Sequence, residues 1–227
     1  MTLSRLIVKQ FTVRLANMKN SPEKTNYHHG DLRTTLLKVA KEMIKENGIK
    51  EVSLRKLAAR VGVSRTAPYH HFKDKNALLC GIAESGFEQL DQINHVGFKK
   101  TNLSKREHFS HFIHDYVQFA NNNPELYELM FGRTIWKDKS STQELRDSAY
   151  PCFQFQVKMT QEWQKQGLLN VNKNALRASQ VLWGTVHGIA KLFIDGIYTD
   201  NSKIDEICDF AVSMFLSNQK YIQLNDH

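Results

Sequence analysis

The chain has 227 residues, a net charge of +8, and only four prolines and eleven glycines. That length buries a substantial core without staples, and the shortage of breakers favours long helices. No apolar run reaches the roughly 18–20 residues that span a membrane, and Cys80, Cys152 and Cys208 lie too far apart for a disulfide framework, which fits a reducing cytoplasm.

Residues 1–26 carry one short apolar patch, Leu6-Ile7-Val8, broken by Arg5, Lys9 and Arg14. This is a poor signal peptide. The segment is expected to be poorly ordered, with Met1 or Met18 as the native start. The basic character lies early in the chain: residues 1–75 hold 16 Lys and Arg against 6 Asp and Glu, and the remainder holds 15 against 17. A basic first module beside a nearly neutral second one points to a polyanionic partner for the first alone, with a solvated basic surface as the bland alternative.

The first helix is expected from about Asp31 to Asn47, with Leu32, Leu36, Val39, Ala40 and Met43 on one face and Asn47-Gly48 as the stop. A short helix follows from Ser53 to Val61, with Ser53 as cap and Leu54, Leu57, Ala58 and Val61 as its apolar stripe. Gly62-Val63 turns the chain, and Ser64 caps a third helix over Arg65–Phe72, with Pro68 tolerated near its start. Asp74 opens a fourth helix to about Phe98. Further helices are expected over Ser104–Asn121, from Asn123-Pro124 with Asn as cap, over Thr142–Gly167 with a bend near Pro151, over Asn172–Gly196 and over Ile204–Leu224. No strand pattern is present, so the fold class is all-α with about nine helices.

Ser53–Phe72 reads as helix, tight glycine turn, helix, a spacing that suits a helix-turn-helix whose second helix enters the major groove. By pattern alone, a short helical pair in an all-α core fits equally well. The residues themselves add to this. Tyr27-His28-His29-Gly30-Asp31-Leu32-Arg33, Val52 to Ser64, and Ala67 to Leu79 recur in order and without gaps. Together they closely resemble the DNA-binding domain of TetR (tetracycline repressor) family regulators. Further on, Asn123 to Gly132 and Leu182-Trp183-Gly184-Thr185-Val186-His187-Gly188 resemble the TetR C-terminal domain named for its Trp-His-Gly residues.

The resemblance implies a DNA-binding domain over 27–75 and a helical ligand-binding and dimerisation domain over 76–227. By position, Arg55, Arg65, Thr66, Ala67 and His70 would meet base edges, and Ser53, Tyr69, His71 and Lys75 would meet phosphates. Phe72 reads as a core aromatic, and core packing is the alternative for Tyr69. In the second domain the resemblance implies an effector pocket, with Phe109, Phe112, Tyr116, Met130, Trp136, Phe153, Met159, Trp163 and His187 as candidates. Ordinary core packing is the alternative for each. It also implies a homodimer through a four-helix bundle, with Trp183, Gly184, Gly188, Lys191, Ile207, Ala211, Met214 and Phe215 at the interface. The stretch Leu176–Ile194 is apolar almost all round, so it must be buried on several sides.

His108, His111, His114 and Asp115 cluster on one helix, opposite its apolar face, and are expected to be solvated; two of them could hold a surface metal adventitiously. No metal or cofactor is implied. The chain lacks His-Glu-x-x-His, a phosphate loop and a nucleophile elbow, which argues against an enzyme. The implied function is a cytoplasmic, bacterial-type transcription regulator on a double-stranded DNA operator, most simply a repressor released by a small-molecule effector. An activator or dual regulator of the same fold, an all-α enzyme with a vestigial DNA-binding domain, and a purely structural dimer are the competing readings. The effector and operator are not legible.

Overall fold

The computed structural model describes residues 29–98, 103–137, 140–170 and 173–217, and every regular element among them is helical. The α-helices are α1 (His29–Asn47), α2 (Leu54–Val61), α3 (Lys75–Phe98), α4 (Lys105–Asn122), α5 (Pro124–Phe131), α6 (Arg133–Trp136), α7 (Gln143–Lys165), α8 (Ala175–Ile194) and α9 (Ile204–Ser217). The N-terminal extension, the choice between Met1 and Met18, Asn172 and the expected end of the last helix at Leu224 lie outside the described residues. No described helix is long and apolar enough to cross a membrane.

The chain divides into two units. The first runs to Leu78 and includes Arg133–Ser140; the second comprises Leu79–Gly132 and the chain from Ser141 onward. The division falls inside α3.

In the first unit, α1 places Leu36, Ala40 and Ile44 one turn apart on its buried face. They meet Leu54, Leu57 and Ala58, the buried residues of α2. A 3₁₀ turn over Ile49–Glu51 joins the two helices. At the start of α2 the Ser53 hydroxyl accepts from the Lys56 amide at 3.2 Å. At its end, Gly62 takes φ 79° and the Val63 amide returns to the Ala58 carbonyl at 3.0 Å. That is the Schellman closure, which needs a left-handed residue. A third full helix over Arg65–Phe72 is not formed. The chain makes a 3₁₀ turn over Ala67–His70, closed by Tyr69 N to Thr66 O at 3.0 Å and His71 N to Pro68 O at 3.1 Å. Pro68 has no amide to donate, so a longer α-ladder loses a rung here.

In the second unit, α4 packs on both α8 and α9, and α7 packs on α8. A reciprocal capping box starts α4: Ser104 accepts from the Glu107 amide at 3.3 Å, and Glu107 accepts from the Ser104 amide at 2.6 Å. Asn123 stands at the N-cap of α5 with Pro124 at the first helical position, as expected, but its side chain makes no capping bond there. Its side-chain amide turns back and donates to the Phe119 carbonyl at 2.9 Å, closing α4 instead. Helix α7 runs unbroken past Pro151, capped by Thr142, and Asn174 caps α8. The helix α6, inside the first unit, has no counterpart in the sequence reading. Its length of one turn is below what periodicity resolves.

Candidate functional site

The outer side of α2 and the following turn separates two kinds of cation. Arg60 makes a two-pronged pair with Glu46 of α1, and Lys56 pairs with Glu51 at 2.6 Å. Both therefore brace the first unit. Arg55 and Arg65 are exposed and make no ion pair among the described residues. Beside them Thr66, Tyr69 and His70 are exposed, while Pro68 and Phe72 point into the core. The alternation follows from the short turn: positions 68 and 72 lie one turn apart and take the inner face, which sends 65, 66, 69 and 70 outward. Tyr69 is 54% exposed, so core packing does not hold it; Phe72 is 3% exposed, with the Arg33 guanidinium 5.6 Å from its ring centre. The face therefore offers two guanidiniums, a phenol, an imidazole and a hydroxyl, a set suited to base edges and phosphates.

Two expected phosphate contacts carry prior bonds. Ser53 already accepts from the Lys56 amide, and its hydroxyl proton remains available to donate. The Lys75 ammonium donates to the Lys50 carbonyl at 3.0 Å, which leaves two of its three protons. Next to it the Asp74 carboxylate accepts from the Ala77 amide at 2.8 Å and closes the start of α3.

The second unit holds a small cavity of about 20 Å³. Phe87, Phe112, Phe131, Phe153 and Trp183 form its aromatic wall, with Asn94 and Gln156 as amides. Cys152 also lines it; burial pushes that thiol up to about 12, so it stays protonated. A second cavity of the same size shares Phe112 and Asn94 and adds Phe155, Met159 and Trp163.

One wall is a chain of hydrogen bonds. Trp183 Nε1 lies 2.8 Å from Tyr116 Oη, which lies 2.8 Å from Tyr127 Oη, which lies 2.6 Å from His187 Nδ1. The indole only donates, so Tyr116 accepts from it; with Tyr116 donating to Tyr127 and Tyr127 to His187, every hydroxyl of the chain has an acceptor. In that arrangement Nδ1 of His187 is the acceptor. Burial, then the nearby Lys191 ammonium, keeps its pKa below the ordinary 6.5. Lys191 itself is bonded to Glu128 of α5 and to Asp195.

A different face of the same unit is apolar and open. Val181 of α8 and Phe210 and Met214 of α9 are 56–67% exposed. A Cβ added at Gly184 or Gly188 would meet nothing within 4 Å.

Residues 36–80 match the family profile described as bacterial regulatory proteins, tetR family, and residues 109–215 match the tetracyclin repressor-like C-terminal domain. The chain belongs to the TetR family. That family is one of bacterial regulatory proteins. The class A tetracycline repressor from transposon 1721 (Escherichia coli) is 41% identical over 22% of this chain and 24% of its own length. The chain thus aligns with about a quarter of that repressor. The nucleoid occlusion factor SlmA of Vibrio cholerae is 28% identical over 77% of this chain and 90% of its own. Among solved structures, a Rhodococcus protein of unknown function is 32% identical, with a TM-score of 0.74 over 86% of this chain and 98% of its own. The TetR regulator PfmR of Thermus thermophilus, 18% identical, shares the fold with a TM-score of 0.59 over 80% of this chain and 97% of its own.

Within this TetR chain the candidate pocket residues scatter. Phe112, Tyr116 and Phe153 line the first cavity, and Phe112, Met159 and Trp163 line the second. Phe109 is fully buried edge-on to Trp163. Met130 is buried against Gly86, where a Cβ would sit 2.5 Å from its sulfur. His187 lies one bond behind the wall. Trp136 belongs to the first unit and to neither cavity. Phe87, Phe131 and Gln156 line the first cavity although nothing in their local pattern singled them out.

The interface candidates also divide. Gly184, Gly188, Ile207 and Met214 lie on faces that are open or half-open. Trp183 faces the cavity, Lys191 pairs within its own chain, Ala211 is buried, and Phe215 packs edge-on to Phe109. The inner stripe of α9 is Ile204, Cys208, Ala211 and Val212, so the outer stripe is Ile207, Phe210 and Met214. The histidine cluster is not simply solvated: the His114 ring lies between Asp205 at 3.2 Å and Asp209 at 3.0 Å, tying α4 to α9. Among the described residues, no three His, Cys, Asp or Glu side chains come together to hold a metal.

Proposed function

We propose that the protein acts in the cytoplasm as a homodimeric repressor on a pseudo-palindromic operator and is released by a small-molecule effector. The observation that carries this is the division of cations on α2 and its turn: Arg60 and Lys56 are spent on Glu46 and Glu51, while Arg55 and Arg65 stand unpaired beside Thr66, Tyr69 and His70. Unpaired, exposed guanidiniums on a helix-turn-helix suit bidentate contacts to guanine. Tyr69, His71, Lys75 and the Ser53 hydroxyl would fix the register on phosphates.

In this reading the open stripe of Val181, Gly184, Gly188, Phe210 and Met214 is covered by the same stripe of a second copy. Two-fold self-pairing fits a face that is apolar and free of side-chain obstruction at its glycines. The effector would occupy the aromatic cavities and act through its differential affinity for two states of the dimer.

Footprinting across the DNA that flanks the gene tests this. The expected result is protection of two related half-sites about 34–36 Å apart, or a multiple of that spacing. Protection of a single isolated half-site would oppose the dimeric reading.

A further inference from the structure

The two cavities of the second unit share one wall, made by Phe112 and Asn94. Each has about 20 Å³, room for about one water molecule. No organic ligand enters either until a side chain moves, and Phe112 stands in the lining of both.

The first cavity has no charged residue in its lining. The second has one, Asp115, at the rim with the partly exposed Phe98. Asp115 stands three residues beyond Phe112 on α4, so both side chains lie on one side of that helix. Its carboxylate makes no hydrogen bond or ion pair among the described residues. Across from it is Gly97 of α3, where even an added Cβ would stand 3.6 Å from Oδ2. The adjacent His114 is turned to Asp205 and Asp209 of α9.

An aromatic-walled space with one unpaired carboxylate at its mouth favours a cation. The ring faces of Trp163 and Phe155 attract positive charge, and the carboxylate pairs with it. An anion would be repelled, and a neutral apolar guest would strip water from Asp115 without replacing it.

We propose that the effector is a small organic cation carrying an aromatic group, whose ring displaces Phe112 toward the first cavity and whose charged centre rests beside Asp115. This names the chemical class of the effector and rests on the effector-released reading above. A guest that fits only after Phe112 has moved binds one conformer better than the other, which is what a shift in population requires.

Isothermal titration calorimetry on the full chain tests the proposal with N-methylquinolinium, uncharged quinoline under mildly alkaline conditions, and 2-naphthoate. The cation is expected to bind about tenfold tighter than quinoline, and the anion weakest. Asp115→Asn is expected to abolish the preference for the cation while leaving quinoline affinity unchanged. Quinoline binding as tightly as the cation, an unchanged preference in Asp115→Asn, or no binding of the cation would each overturn the assignment. Operator affinity, measured in parallel without and with the cation, separates the two claims. Cation binding that leaves operator affinity unchanged overturns the effector role and leaves the site standing.

Discussion

Tyr127 Oη lies 2.6 Å from Nδ1 of His187, and the arrangement that gives every hydroxyl of this chain an acceptor runs from the phenol to the imidazole. The donor-only indole of Trp183 fixes the other end of the chain, where Tyr116 accepts. A protonated His187 would donate from Nδ1 and reverse Tyr127, leaving the buried Tyr116 hydroxyl with no acceptor.

The pH dependence follows. The His187 pKa is lowered on folding, first by burial and then by Lys191. Its contribution is therefore present above the unfolded-state value of about 6.5 and is lost as pH falls from there through the folded value. His187→Asn keeps an acceptor for Tyr127 and cannot titrate. Thermal midpoints recorded against pH should fall more steeply for wild type than for His187→Asn on the acid side of neutrality. Parallel curves would contradict the direction assigned to the chain.

Tyr127→Phe removes the middle of the chain. It leaves the Tyr116 hydroxyl without its acceptor and His187 without its donor in a buried setting. The expected loss is about 1–3 kcal/mol in denaturant unfolding. A loss near zero would mean that the two groups find other partners.

Gly62→Ala tests the turn. Gly62 has φ 79° and nothing within 4 Å of an added Cβ, so the cost is conformational rather than steric. It should be about 1–2 kcal/mol. DNA affinity measured well below the unfolding transition should change little if the turn geometry survives.

These residues also show how much was legible beforehand. The cap at Ser53 and the turn at Gly62 are local chemistry that reads directly from sequence, and Ser104 and Thr142, expected only as helix starts, cap their helices as well. The 3₁₀ turn was not foreseen because a proline near a helix start is permitted by rule but limits a segment this short. Asn123 takes the cap position of α5 that the sequence indicates, while its side-chain amide serves α4 instead, a choice that only packing decides. In α8 and α9 the apolar content was plain, but which stripe faces its own chain was not. Trp183 and Phe215 turned inward, and Phe210, which was passed over, stands out in solvent. A helix apolar all round carries no phase, so periodicity cannot choose its outer face. The contacts of His114 with Asp205 and Asp209 cross from α4 to α9, a long-range pairing with no sequence signature.

The open stripe gives a prediction about assembly. Phe210→Glu, on a residue 67% exposed, should leave the fold intact and shift sedimentation from dimer to monomer. A glutamate from each copy would be buried without a partner. An unchanged dimer would place the interface elsewhere.

The most direct test of the central claim is a fluorescence-anisotropy titration of the full chain against the duplex recovered by random-site selection. An unrelated duplex would serve as control, at two salt concentrations. The selected duplex should bind about 10³-fold or more tighter, with both affinities falling as salt rises. Arg65→Ala should cost about 1–3 kcal/mol on the selected duplex and relax its specificity, while Tyr69→Ala with Lys75→Ala should weaken both duplexes and flatten the salt slope. Equal affinity for the two duplexes, unaltered by these substitutions, would contradict the assignment of this face as a reader of DNA sequence.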